Sequence, residues 1–159
     1  MIVSEVEVTR RMEAFMQTCR ERGMKATHQR IEIFRELAAS GAHPDAETVY
    51  QAVSQRVPSI SRDTVYRTLA TLEAEGFVRK INPLFERARY DANLDHHHHF
   101  ICTVCGSVTD FCSERLDNLP IPASVEALGE IDSAHVQVQG ICAACAHNRK
   151  PTQPPAGVL

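Results

Sequence analysis

The sequence predicts an α+β chain, with an N-terminal winged helix over residues 1–90 and a small α/β unit over residues 91–149. Two patterns predict it. Apolar residues recur at helical spacing through four successive segments and then change to the alternation of a hairpin. Beyond residue 91 the pattern stays strand-like and carries two Cys-x-x-Cys pairs, Cys102 with Cys105 and Cys142 with Cys145.

Met12, Phe15, Met16 and Cys19 share one face of a first helix expected from about Val6 to Arg22, with Gly23 as its stop. Residues 1–5 ahead of it are expected to be flexible. Thr27 is placed to cap a second helix, whose stripe is Ile31, Phe34, Leu37 and Ala38 and whose end is Gly41. Asp45 caps a third, with Ala46, Val49, Tyr50 and Val53 inward, before Val57-Pro58 terminates it. Ser61 caps a fourth, in which Val65, Leu69 and Leu72 line up before Gly76. The period then changes at Phe77 to Ile81, breaks at Asn82-Pro83 and resumes from Arg87 to Asp91, which reads as the wing. Later strands are expected at Phe100-Ile101, Val108 to Phe111 and Val136 to Gln139. A helix is expected between them at Pro122 to Leu128, its apolar face formed by Val125 and Leu128. Residues 150–159 have the composition of a disordered tail.

At 159 residues and 43% hydrophobic content the chain can build a real core. No apolar run is long enough for a membrane helix, and the acidic N-terminus does not resemble a signal peptide, so a cytoplasmic protein with no membrane partner is expected. That placement favours metal-binding over disulfide-bonded cysteines. Cys19 reads as a packed helix residue, and Cys112 as an unassigned thiol. The formal net charge of -3 hides an asymmetry: residues 1–85 hold 12 Lys/Arg against 11 Asp/Glu, and residues 86–159 hold 5 against 9. So small a positive excess does not itself indicate nucleic acid. The stronger indication is the fourth helix. Arg62, Tyr66 and Arg67 lie away from its apolar stripe, where arginine can read guanine and tyrosine can meet a thymine methyl or a phosphate, with Arg79 and Lys80 on the wing behind.

Two kinds of metal chemistry adjoin in the run His96 to Gly106. The two knuckles can place four thiolates around Zn2+ at about 2.3 Å, closing a structural site from Cys102, Cys105, Cys142 and Cys145. On an extended segment His97 and His99 face one way, and His96 and His98 the other. His97 and His99 could be joined by Asp91, Asp110 and His43 in a nitrogen and oxygen set favouring iron, manganese or zinc. A solvated histidine run is the alternative.

The segments Gly23 to Arg30, His43-Pro44, Ile60 to Leu69, His96 to Gly106 and Cys142 to Cys145 together resemble the Fur superfamily of metal-dependent transcriptional regulators, from Met12 to Cys145. The resemblance implies a winged-helix DNA-binding domain, a dimerisation domain with structural zinc, and a homodimer that binds double-stranded operator DNA and represses when metallated. It implies a regulatory Fe2+ or Mn2+ site at His43, Asp91, His97, His99 and Asp110, and adds Lys25 to the DNA-binding residues. Aspartate at both 91 and 110 is similar to peroxide sensors of the PerR type, where iron sensors usually carry glutamate. In that branch the ferrous form is oxidised by hydrogen peroxide at a ligand histidine, which makes His43 and His97 the oxidation candidates. An additional metal set at His96, His98, Asp117 and His135 is also implied. Two positions depart from the pattern. Arg67 after Tyr66 is more like the iron-sensing branch, and Ala134 stands where a histidine is usual, with His135 one place later. An iron- or zinc-responsive repressor is therefore the second reading. A metallohydrolase would need a general base and a substrate pocket that the sequence does not identify, so an enzyme is not expected. A metal buffer would leave the fourth helix without a purpose.

Overall fold

The computed structural model describes residues 3–81 and 87–148, so the break expected at Asn82-Pro83 and the tail expected at 150–159 lie outside the described residues. Helix α1 spans Glu5–Glu21, α2 His28–Ala39, α3 Ala46–Arg56 and α4 Arg62–Ala74. Their starts follow the capping residues: the Ser4, Thr27, Asp45 and Ser61 side chains accept the backbone N–H groups of Glu7, Arg30, Thr48 and Thr64. Gly76 ends α4 with φ +74, a left-handed turn in which the Phe77 N–H returns to the Leu72 carbonyl at 2.8 Å.

One core gathers Phe15 and Cys19 of α1, Ile33, Phe34 and Leu37 of α2, Val49 and Val53 of α3, and Val65, Leu69 and Leu72 of α4. The Phe15 ring stacks on Phe34 at 4.3 Å and meets Phe77 edge-on at 4.9 Å. Ile31, expected in the α2 stripe, is only partly buried, and Ile33 takes the deeper place. The buried Glu32 is neutralised by Arg56 at 2.8 Å, fastening α2 to α3.

Strands β1 (Arg79–Ile81) and β2 (Arg89–Asp91) pair antiparallel, Arg79 opposite Asp91. Phe77 and Val78, expected inside the first strand, are instead buried residues leading into it. Strand β2 docks on the loop before α3: the Tyr90 N–H donates to the Pro44 carbonyl at 3.1 Å, and Arg89 bridges to Asp45. The division expected between residues 90 and 91 thus runs through β2.

The second sheet has the order β4-β3-β5, built from β3 (His98–Cys102), β4 (Val108–Phe111) and β5 (Gln137–Gly140). Strand β3 runs antiparallel to β4 and parallel to β5. Ile101 and Val108 form a small second core with Ile81 of the wing. Gly140 is needed beside Phe100, whose ring would lie 3.1 Å from an added Cβ. The helix expected at Pro122 to Leu128 shortens to one turn, α6 (Ala123–Glu126), and its apolar face is not buried within the chain: Val125 is 40% exposed and Leu128 84%. Two further short helices, α5 (Glu114–Asp117) and α7 (Ala143–Asn148), were not expected. They are too short to show a helical period. Among the described residues no helix is long and apolar enough to cross a membrane.

Phe15→Ala removes the ring that joins α1 to α2 and to Phe77. It is expected to destabilise the helical core by about 3–5 kcal/mol, read as a lowered urea midpoint; an unchanged midpoint would mean that α1 is not part of the cooperative core.

Candidate metal centres and nucleic-acid interface

The first cluster sits where β3 and β5 end side by side. Cys102 closes β3 opposite Gly140, and Cys142 and Cys145 follow β5, so parallel pairing delivers both knuckles to one end of the sheet. The four sulfurs lie within 4.8 Å of one another. Backbone N–H groups already point at them, Cys142 N at 3.3 Å from Cys102 Sγ and Cys145 N at 3.4 Å from Cys142 Sγ. Such donors from Cys105 and Cys142 bring the Cys102 thiol down to about 6, whereas Cys145, donating to the Cys142 and Cys105 sulfurs, is pushed up to about 12. One sulfur holds its charge while another holds its proton, and a divalent ion would displace that proton. The donor set fits zinc.

The second cluster is assembled from four separate segments. His43 comes from the loop before α3, Asp91 from the end of β2, His99 from β3 and Asp110 from β4, and their donor atoms lie within 4.8 Å of one another. His99 and Asp110 are direct cross-strand partners and so share a face of the sheet. His97 borders the group, its Nε2 lying 3.0 Å from both His99 Nε2 and Asp91 Oδ2. Two nitrogens ligating one ion at right angles at about 2.1 Å would stand about 3.0 Å apart.

His43 is held in the left-handed region at φ 47. A non-glycine residue there carries a strain of about 1–3 kcal/mol. Its surroundings enforce it: Arg89 donates to the His43 carbonyl at 3.1 Å, and the ring is 1% exposed, with Nε2 2.6 Å from Asp110 Oδ1 and Nδ1 3.5 Å from Asp91 Oδ1. Asp91 is as deeply buried. Burial would raise its carboxyl, but the His97, His99 and His43 imidazoles hold it well below the usual carboxylate range. The same contact with Asp91 raises His97 against the opposing effect of burial. Asp110 is likewise lowered, its own burial outweighed by His43.

Two buried atoms here, His43 Nδ1 and Asp91 Oδ2, have no hydrogen-bond partner, although Oδ2 has an imidazole nitrogen within 3.0 Å. Lone pairs converging without an aligned proton fit a set of donors that could share a cation. His97 Nδ1 lies 2.8 Å from the Asp95 carbonyl, which can only accept, so Nδ1 carries a proton and Nε2 is free to offer its lone pair. Two carboxylates and three imidazoles fit a divalent ion of the iron and manganese type. A pocket of about 430 Å³ between the start of α1 and β4 opens on Asp91, His97 and Asp110, with Glu7, Arg11 and Cys112 on its wall.

The segment Asp91 to Asp95 contributes more than its ligand. The Asn93 N–H donates to Asp91 Oδ1 at 2.7 Å and the Asp95 N–H to Asn93 Oδ1 at 3.2 Å, two successive Asx turns that aim the Asp95 carbonyl at His97. The Asp-x-Asn-x-Asp spacing was the sequence signal for them. A third group holds His96, His98 and Asp117 but not His135, whose ring stands edge-on to His99 at 6.3 Å.

On α4, Tyr66 and Arg67 project into solvent, and Arg67 joins Lys25, Gln29, Arg30 and Thr64 along a groove between α2 and α4. Gln29 and Arg30 were not among the residues expected there. Arg62 is differently placed. Its guanidinium forms two 3.0 Å hydrogen bonds to Glu47 and lies 4.5 Å over the Tyr50 ring, fastened to α3. A model of the ferric uptake regulator family matches residues 21–146. The chain is 31% identical to the peroxide-responsive repressor PerR of Staphylococcus aureus, over 89% of this chain and 96% of the relative. The Staphylococcus epidermidis protein of the same name is also 31% identical, over 84% and 89%. Among solved structures, the Helicobacter pylori ferric uptake regulator, described as having three functional metal binding sites, superposes with TM-score 0.70 at 25% identity, covering 91% of this chain and 96% of that one. A zinc uptake regulator complexed with zinc and DNA gives 0.62 at 25% identity, covering 88% and 95%.

Cys142→Ser is expected to abolish binding of one zinc equivalent and to free the β3 and β5 amides for hydrogen exchange, while α1 to α4 stay protected. Structural zinc contributes on the order of 10 kcal/mol in small domains, so retained protection of β5 in the zinc-free variant would contradict a structural role.

Proposed function

The chain belongs to the ferric uptake regulator family, and on that premise we propose that it is a DNA-binding transcriptional repressor of the cytoplasm, not an enzyme, that senses hydrogen peroxide through a regulatory metal. The observation that carries this reading is the second cluster. Its donors come from the loop before α3, from the end of the wing strand β2 and from β3 and β4 of the second sheet, and both of its carboxylates are aspartates.

Cys102, Cys105, Cys142 and Cys145 hold structural Zn2+ in this reading, and His43, Asp91, His97, His99 and Asp110 hold Fe2+ or Mn2+. His43 is the coupling residue. Its ligation ties the loop ahead of α3 to β2, β3 and β4 and so selects one orientation of the reading helix relative to the second sheet. Iron(II), when bound, supplies the electrons that cleave the O–O bond of peroxide. His43 and His97 are the side chains oxidised, and the pocket beside Asp91 and His97 is wide enough to admit a small oxidant. Losing a ligand releases the orientation, and affinity for double-stranded operator DNA falls.

Lys25, Tyr66 and Arg67 face the DNA in this account. Arg62 reaches it only by leaving Glu47. A homodimer would present two reading helices to two half-sites. Leu119, Val125, Leu128, Ile131 and Val138 are exposed apolar residues that a second copy would be able to cover. An iron- or zinc-responsive repressor is the second reading, favoured by Arg67 directly after Tyr66; it would keep the same ligands and lack reactivity toward peroxide.

Brief low-dose peroxide treatment of the Fe(II)-loaded and Mn(II)-loaded protein separates the two readings. Peptide mass spectrometry should find one added oxygen on His43 or His97 in the iron form alone, with zinc retained; unmodified histidines would leave the iron- or zinc-responsive reading. Arg67→Ala should weaken operator binding by about 1–3 kcal/mol if Arg67 reads a base. Equal weakening on unrelated DNA would make it a phosphate contact instead.

A further inference from the structure

The four histidines of the run, His96 and His97 ahead of β3 and His98 and His99 on it, pair off on two sides, His96 with His98 and His97 with His99, and the hydrogen bonds on those sides differ in kind. On one side the Asp95 carbonyl fixes the His97 Nδ1 proton, so Nε2 can ligate. On the other, the Val136 backbone N–H lies 3.1 Å from His98 Nδ1. A backbone N–H can only donate. His98 Nδ1 therefore holds the lone pair, and in the neutral ring Nε2 holds the proton. That Nε2 lies 2.9 Å from Asp117 Oδ1, where a carboxylate suits a proton and a metal would find no lone pair. The contact is not in line, and Nε2 is a buried atom without an aligned partner; a small rotation of the partly exposed Asp117 carboxylate would align it. Ligation through Nε2 would need the proton moved to Nδ1, against the Val136 N–H.

The fourth donor is also missing. His99 pairs with Gln137 across the parallel sheet, so His135, two residues earlier, falls on the His99 face, and its ring stands beside His99. A displacement of one residue along an extended segment moves a side chain to the opposite face. What remains is His96 at 3.1 Å and His98 at 2.9 Å from one carboxylate oxygen of α5.

We propose that His96, His98 and Asp117 form a clasp of imidazole–carboxylate contacts that takes no metal and that fastens α5 to the back of β3, holding the backbone from which His97 and His99 project into the regulatory centre. His98 is fully buried, hydrogen-bonded at Nδ1 by the Val136 N–H and with Nε2 2.9 Å from Asp117, so it lies between β5 and α5. His98 and Asp117 are positioning residues in this arrangement. The inference rests on the reading of His97 and His99 as regulatory ligands.

The test uses the full chain dialysed against buffered micromolar zinc, with zinc per protomer measured by elemental analysis and the His98 tautomer read from long-range proton–nitrogen NMR. Saturation at two equivalents, with His98 Nε2 still protonated, is expected in the wild type and in Asp117→Asn, whose amide oxygen still accepts. Asp117→Ala should also saturate at two equivalents but need about 10–100-fold more Mn(II) to fill the regulatory site, with structural zinc and thermal midpoint retained. A third equivalent that disappears in Asp117→Asn, or Mn(II) affinity unchanged in Asp117→Ala, would overturn the clasp. A wild type saturating at one equivalent would instead overturn the regulatory reading and leave the third cluster without metal.

Discussion

Strand β3 sends its side chains alternately to two faces, and every metal-relevant group of the second sheet depends on that alternation. His99 takes its place opposite Asp110, His98 turns to the back toward Asp117, and Cys102 reaches the end of the strand beside Gly140. A one-residue slip of β3 against β4 or β5 would exchange the faces and scatter all three groups. Register is held at both ends: the His99 N–H donates to the Val136 carbonyl at 3.2 Å and the Thr103 N–H to the Gly140 carbonyl at 2.7 Å. The cysteine cluster closes the same pair of strands just beyond Gly140, so a zinc ion there would secure the register on which the His99 and Asp110 face relies.

His43 is held beside this sheet in one strained conformation. Its positive φ, its burial and its two carboxylate neighbours concentrate strain and charge at one loop position between α2 and α3. Arg89 and Tyr90 of the wing grip the backbone on either side of it, so the loop, the wing and the helix that follows are mechanically continuous. Two carboxylates facing three imidazoles nearly balance in charge only when the imidazoles take up protons or a cation is shared.

The helical half shows how a fold can set the availability of a side chain that its sequence position alone leaves open. Arg62 and Arg67 are both on the outer side of α4, yet Glu47 neutralises Arg62, while Arg67 has only an exposed Asp63 at 3.4 Å. The first contact is between helices and bidentate, and the second lies within one helix and is weak.

The four long helices, the caps Thr27, Asp45 and Ser61 and the strand at Val108 to Phe111 were legible because each rests on local chemistry: an apolar period, a side chain that accepts an N–H, a glycine at a left-handed turn. The four cysteines and the grouping of His43, Asp91 and Asp110 with alternate histidines were legible as well, since ligand type and strand parity are properties of the chain itself. The short helices α5 and α7 were not, because so few residues carry no period, and α6 was legible in place but not in length, since Val125 and Leu128 remain exposed among the described residues. Only the tertiary structure put His135 beside His99, turned His98 into an acceptor for Val136, and set Glu47 against Arg62. Each of these is a contact between segments remote in sequence, fixed by the register of a parallel strand pair or the packing of two helices, and no local pattern encodes which face meets which.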